Sequence, residues 1–345
     1  MKKIMHKEIF IDPSYDHFND DGLFDLSNAV LNRDSQMLPF QRLREALEKN
    51  GINVHTADYL FKNNMVRTQK CEYYSLGILD NFEKLSIEGK VRMKGFVIME
   101  PPVVAPILYR ALPRLTSIFE RVYVHNIDGD GYSLDGVDVS RLHKFYWPIP
   151  HNDVLEFYWE NRIRMKRVVV INGSHNPQAR SREQYSLRIK AMAELSKLGV
   201  VDLYGRGWDR WWSRSAFWLP YWQNRSALMS IYKGACSSKF EVMQNYDFCL
   251  CFENMWMHGY ITEKIFDCLY AGTIPLYMGA PDVSAYIPED VFVDCRKYST
   301  WKEMWEDIAT MPVESIEAMR IAGRNFLQSD QAKKFYDSIE HICEG

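Results

Sequence analysis

The stretch Glu253-Asn-Met-Trp-Met-His-Gly-Tyr-Ile-Thr-Glu-Lys264 gathers two carboxylates, an amide, an imidazole and a lysine directly after the apolar run Phe248-Cys-Leu-Cys-Phe252. A continuous apolar run of this kind reads as a strand buried on both faces. Polar density at the end of a buried strand is costly unless polar partners meet it. Open α/β sheets bind ligands at the carboxyl ends of their strands, so Glu253 and Asn254 stand where a ligand would arrive. Gly259 permits a positive φ or a close backbone approach. Thr262 is a good N-cap, which places Glu263 and Lys264 in the first turn of a helix. A glutamate there suits the helix dipole, whereas a lysine opposes it. The lysine makes sense if an anion sits at the helix N-terminus, and a diphosphate is the natural candidate. Each residue also has a blander reading: a Glu-Lys pair can be solvated surface, Asn254 a turn former and His258 a loop histidine.

Alternating elements must position these groups. Glu8–Asp12 reads as a first strand, Pro39–Gly51 as a helix ended by Asn-Gly, and Gly51–Val54 as the start of a second strand. Gly95–Glu100 is a strand stopped by Pro101-Pro102, Val103–Leu112 a helix and Arg121–His125 a further strand. Trp147-Pro-Ile-Pro150 resembles a linker, because proline resists continuing either element. A second series follows: strand Arg167–Asn172, a helix opened by the capping box Ser181-Arg-Glu-Gln184 and running to about Lys197, strand Val200–Tyr204, strand Tyr246–Phe252, helix Thr262–Tyr270 and strand Thr273–Met278. The tail from Ala309 to Gly345 is amphipathic and helical. Strand-helix repetition of this kind predicts α/β architecture, with mostly parallel sheets in two Rossmann-like domains and a cleft between them.

Bulk composition narrows the classes. Apolar residues make up 47% and charged residues 25%, as in ordinary globular proteins, and the net charge of -3 gives no general footprint for nucleic acid. Neither a transmembrane-length apolar run nor a signal-peptide core is present. The seven cysteines are scattered without a CxxC pair, which points to reduced, buried thiols in a cytoplasm. Ten tryptophans are unusual. They concentrate between Trp208 and Trp222, where packing is the default and sugar stacking or an interfacial patch near lipid-linked glycans the alternatives. No GxGxxG follows the first strand, which disfavours a dehydrogenase.

Phe252-Glu-Asn, Gly259-Tyr-Ile-Thr-Glu-Lys264, Ala271-Gly-Thr-Ile-Pro275 and Gly279, in that order, resemble the signature of the α-1,3-fucosyltransferases, glycosyltransferase family 10, with Ile261 where the family has valine. Val201–Arg206 is similar to the family's VDVYGR segment, and Lys239 with Tyr246-Asp-Phe248 to its lysine and YKF stretch. Arg188, Leu195 and Asp202 reproduce a family spacing. The likeness covers roughly 165–295. Further upstream it rests on Met99-Glu100-Pro-Pro, similar to the family's ESP-type loop with Pro101 replacing serine.

The resemblance implies a GT-B fold, with residues 1–150 as acceptor domain, 151–320 as GDP-sugar domain and 321–345 as a C-terminal helix packing back on the first. It implies an inverting transfer of L-fucose from GDP-fucose to a hydroxyl of an acceptor glycan, by α-1,3 linkage onto lipopolysaccharide or another surface glycan. Alternatives are a same-fold transferase using another nucleotide-deoxysugar, and a non-catalytic nucleotide- or glycan-binding protein. The acceptor would be an oligosaccharide or a lipid-linked glycan, and the chain looks like the soluble bacterial type: cytoplasmic, with peripheral contact at the inner membrane left open.

Inversion requires a base, and Glu100, at the end of an apolar strand, is the candidate, with His125 the alternative. Arg188 and Lys264 are the expected cations for the diphosphate, one bidentate and one a point charge. Glu263 is expected to accept from ribose or sugar hydroxyls. Glu253, Asn254 and Tyr260 are expected to shape the same pocket, and Lys239 to join the donor-binding set. With two cations available no metal is required, although a divalent ion could stimulate. Asp128-Gly-Asp130 could hold a metal, but in a glycine-rich run it more often makes an ordinary turn.

Overall fold

In a computed structural model, the described residues are 7–13, 15–62, 71–82, 85, 91–161, 163–210 and 218–344. The chain divides into two compact units, Met1–Pro150 with Lys334–Gly345, and His151–Lys333.

The apolar runs of the first unit enter one parallel sheet. Strands β1 (Glu8–Asp12), β2 (Asn53–Thr56), β3 (Cys71–Ser75), β4 (Val91–Val97), β5 (Arg121–Val124) and β6 (Leu142–Lys144) lie in the order β2-β1-β3-β4-β5-β6. Alternation along each strand sends successive side chains to opposite faces. Ile9, Ile11, Tyr74, Val97 and Tyr123 join one core with Leu43 and Leu47 of helix α1 (Leu38–Lys49). Phe10, Tyr73, Phe96, Val122 and Val124 join the other, with residues of α2 (Pro106–Arg110) and α3 (Leu112–Ile118). The helix expected over 103–112 therefore starts later and continues further. Pro106 takes an N-terminal helical position, where its missing N–H costs nothing.

The second unit builds its sheet from β7 (Met165–Ile171), β8 (Val201–Tyr204), β9 (Tyr246–Phe252), β10 (Ile274–Met278) and β11 (Val293–Asp294), in the order β11-β10-β9-β7-β8 and parallel throughout. Its helices include α4 (Tyr185–Lys197), α5 (Leu219–Ile231), α6 (Lys239–Met243), α7 (Glu263–Ala271), α8 (Trp301–Thr310) and α9 (Val313–Leu327). Helix α9 runs through residue 320 and stays with the second unit. From Lys334, within α10 (Asp330–Tyr336), the chain belongs to the first. There Ile339, Ile342 and Cys343 of α11 (Ser338–Glu344) enter the core beside α1. Arg42 fastens this tail by donating to the carbonyls of Tyr336 and Pro150, both at 2.7 Å, and of Ile149 at 3.2 Å.

The capping box at Ser181 does not form. Helix α4 begins at Tyr185, and the carboxylate of Glu183 accepts from the Ser186 N–H at 2.9 Å in place of a serine cap. Residues 182–184 are drawn instead against the loop after β9. The Gln184 N–H donates to the Asn254 carbonyl at 3.0 Å and the Trp256 N–H to that of Arg182 at 2.9 Å, with Arg182 held at φ +61°. All seven cysteines are thiols outside any disulfide, and six are buried. Among the described residues, no helix is long and apolar enough to cross a membrane.

Candidate functional site

In both sheets the strand order reverses beside the first strand of the unit, between β1 and β3 and between β7 and β9. Open α/β sheets bind ligands in the crevice outside the carboxyl ends at such a reversal. In the second unit that crevice is bordered by the loop after β7 and by residues 253–262 after β9, the stretch singled out for its polar density.

Glu253 is fully buried and is the anion of this edge. Its carboxylate accepts from the Thr262 N–H at 2.8 Å, the Thr262 hydroxyl at 2.8 Å and the Lys264 ammonium at 3.2 Å. Burial pushes its carboxyl above the ordinary range, with Lys264 pulling the other way. Lys264 also donates to the Thr262 hydroxyl at 2.9 Å and lies 3.4 Å from a Glu263 oxygen. Thr262 is indeed the N-cap of α7, but its hydroxyl serves Glu253 and makes no cap to the helix. The lysine that opposes the helix dipole thus has an anion of the protein's own beside it. Burial works against ionisation of Glu263 too, but Lys264 and then Lys239 prevail and hold it below its usual value. Gly279 makes room for this cluster, because a Cβ there would fall 2.3 Å from the Tyr277 hydroxyl and 2.7 Å from Glu253 Cγ. Gly259 has φ +70°, and its N–H donates to Asp282 at 2.8 Å.

Arg188 lies on the inner face of α4, only 4% exposed. One nitrogen, Nη2, donates to the carbonyls of Phe252 at 2.6 Å and Glu253 at 3.2 Å, with Asn254 Oδ1 at 3.4 Å. Among the described residues no carboxylate pairs with it, and its buried Nε has no hydrogen-bond partner. Burial lowers its pKa, because a charged group held from water without a counter-ion is disfavoured.

The structure therefore brings Arg188, Glu253, Asn254, Glu263 and Lys264 together at one strand end. It corrects two of the expected pocket walls. Glu253 has no surface left for a ligand, and Tyr260, 1% exposed, is a core residue near Arg188. Lys239, on α6, forms a 2.6 Å ion pair with the buried Asp267 of α7. Asp202 likewise belongs to a closed network, held by two nitrogens of Arg167 at 3.0 Å, by Lys233 at 3.5 Å and by the Tyr246 hydroxyl at 3.2 Å.

In the first unit Glu100 is half-buried in the turn after β4, its carbonyl accepting from the Tyr109 hydroxyl at 3.1 Å. His125, beyond β5, is wholly buried, with Nε2 2.7 Å from the Met99 carbonyl. A carbonyl only accepts, so Nε2 carries the proton, and His125 supports the Glu100 turn from within the core. Asp128 and Asp130 lie in a turn closed by Asn126, whose Oδ1 accepts their backbone N–H groups at 2.9 and 3.0 Å. Among the described residues no cluster of three His, Cys, Asp or Glu side chains suits a metal. Trp208 and Trp218 are buried, Trp208 donating to the Asn172 carbonyl at 2.7 Å, while Trp222 is partly exposed. The rest of the Trp-rich segment, residues 211–217, lies outside the described residues.

Two parallel α/β units of this kind are the architecture of the GT-B fold, which solved glycosyltransferase structures share. A solved α1,3-fucosyltransferase in complex with GDP superposes with a TM-score of 0.53 at 14% identity, covering 100% of this chain and 93% of that one. Residues 164–320 match the model of the glycosyltransferase family 10 (fucosyltransferase) C-terminal domain. Among curated relatives, the α-(1,3)-fucosyltransferase FucT of Helicobacter pylori is 39% identical over 66 residues, 19% of this chain and 14% of that protein. The GDP-fucose protein O-fucosyltransferase 3 of Xenopus tropicalis is 41% identical over 98 residues, 28% of this chain and 18% of that protein. The matched regions thus span less than a fifth of these relatives' length.

Proposed function

We propose that this chain is an inverting glycosyltransferase that moves L-fucose from GDP-fucose to a hydroxyl of an acceptor glycan, with α-1,3 linkage and a lipopolysaccharide or other surface glycan as the favoured acceptor. The observation that carries the reading is Arg188, a buried guanidinium with no carboxylate partner among the described residues, at the carboxyl end of β9 inside the segment that matches the family 10 model. A buried charge without a counter-ion is costly, and an arriving diphosphate would relieve that cost. Preorganised cations aimed at a leaving diphosphate contribute several kcal/mol to the transition state. Arg188 and Lys264 fill that role, with Asn254 and Glu263 at the nucleotide or sugar hydroxyls.

Inversion proceeds by one in-line displacement, in which Glu100 takes the proton of the acceptor hydroxyl as GDP departs from the opposite face. The charge on the departing diphosphate is met by the two cations, so no metal step is invoked.

A thermal-shift panel of GDP, UDP, ADP and NAD tests the donor. A ligand at 100 times its Kd adds about 2.7 kcal/mol of stability, so a shift with GDP alone is expected. A shift with UDP and none with GDP would replace the donor with a UDP-sugar. Binding of GDP without donor hydrolysis or transfer would make the chain a binding protein.

A further inference from the structure

The loop after β7 borders the same crevice as Arg188 and is not used by the mechanism above. Its backbone is tied down: the Asn172 N–H donates to the Tyr204 carbonyl at 3.0 Å and the Ser174 N–H to that of Arg206 at 2.9 Å. The loop then places the imidazole of His175 against Gly173, with Nε2 nearest. A Cβ at Gly173 would lie 2.5 Å from Nε2 and 3.0 Å from Cδ2, so only glycine allows the ring to rest there. The ring stays exposed, and among the described residues neither nitrogen has a hydrogen-bond partner. An exposed histidine on a mobile loop would ordinarily need no explanation. This one is held by a tied backbone within electrostatic reach of a buried guanidinium that itself has an unpartnered nitrogen.

We propose that His175 is a further donor-binding residue, whose imidazole N–H donates to a phosphoryl oxygen of the nucleoside diphosphate beside Arg188; this rests on the donor-site reading above. The chemistry is selective for the phosphates. A neutral imidazole has one N–H to give, and hydrogen bonds to ionised acceptors are the stronger kind. Partial desolvation of the ring, and then the neighbouring Arg188, hold the imidazole below its ordinary pKa, which favours the neutral form.

Titration calorimetry of the full chain with GDP and with guanosine, on wild type, His175→Ala and His175→Gln, tests this. His175→Ala is expected to weaken GDP about tenfold, the usual cost of one hydrogen bond to a charged group, and to leave guanosine unchanged. His175→Gln, which keeps an N–H donor, should recover part of the loss. Equal GDP affinity in wild type and His175→Ala would overturn the assignment of His175 while leaving the donor site standing. Equal losses for GDP and guanosine would also overturn it, since the ring would then act on the base or the fold. If wild type binds no GDP, the donor-site reading fails and this inference falls with it.

Discussion

The strand-order reversals of the two sheets carry buried charges of opposite character. At the end of β1, the Asp12 carboxylate accepts from the Tyr73 hydroxyl and from Asn81 at 3.0 Å. At the end of β9, Arg188 spends one nitrogen on carbonyls and leaves another buried without a partner. The first set has neutral donors of its own, whereas the second retains capacity for an anion. Burial alone therefore does not mark a binding group; in the proposed reading it is unfilled hydrogen-bonding capacity at the strand-order reversal that does, because each unmade bond to a buried charge keeps its desolvation cost until a ligand arrives. Asp202 makes the same point within the second unit, since it is nearly as buried as Arg188 but fully paired.

The comparison can be broken in several places. The largest effect is expected for Glu100→Gln, with turnover falling about 100- to 10,000-fold while GDP affinity stays within about twofold; unchanged turnover would remove Glu100 as the base. Next, Arg188→Met should cost about 100-fold in GDP affinity, two hydrogen bonds to charged oxygens, yet hold or raise the Tm, because an apolar side chain replaces an uncompensated charge. A large drop in Tm would instead make Arg188 a structural cap on the β9 carbonyls. Glu253→Gln should destabilise the protein by about 3 kcal/mol, since it strips the buried partner of Lys264, and should show as a lower urea midpoint.

The smallest effects separate Asp12 from Asp202 by pH. Burial raises the Asp12 carboxyl, so the folded state holds that proton more tightly and stability falls as pH climbs from 3.8 through the raised value. Asp12→Asn removes that fall and gains on wild type above the window. Asp202 is lowered: burial is outweighed by Arg167 and Lys233, so its contribution is full above 3.8 and lost as pH drops through the lowered value. Asp202→Asn should be less stable than wild type at neutral pH and converge with it in acid. Parallel pH profiles for the two variants would show that both carboxylates are equally satisfied.

Much of the frame was legible in the sequence. Phe248–Phe252 is a buried strand because its apolar run is unbroken, and α7 begins after Thr262 because the N-cap and the apolar spacing agree. β3 was harder to read: Glu72 interrupts its run, and only pairing with β1 and β4 identifies Cys71–Ser75 as an interior strand. The failed capping box at Ser181 shows a local signal losing to a tertiary one, since bonds from residues 182–184 to the β9 loop outweigh a serine cap. The burial of Arg188 has a signal in the helix spacing. Tyr185, Arg188, Met192 and Leu195 share one helical stripe, which places the arginine among core residues.

The sequence by itself determined the elements and the chemical types at the end of β9, because apolar periodicity and local caps act between residues close in the chain. Which of those groups were consumed and which kept capacity was decided by the tertiary structure alone. Glu253 was closed off by Thr262 and Lys264, and His175 was laid against Gly173 at the end of β7. Hydrogen-bond satisfaction depends on distances of a few tenths of an ångström between segments far apart in sequence, and no pattern of residue types encodes these until the sheet has formed.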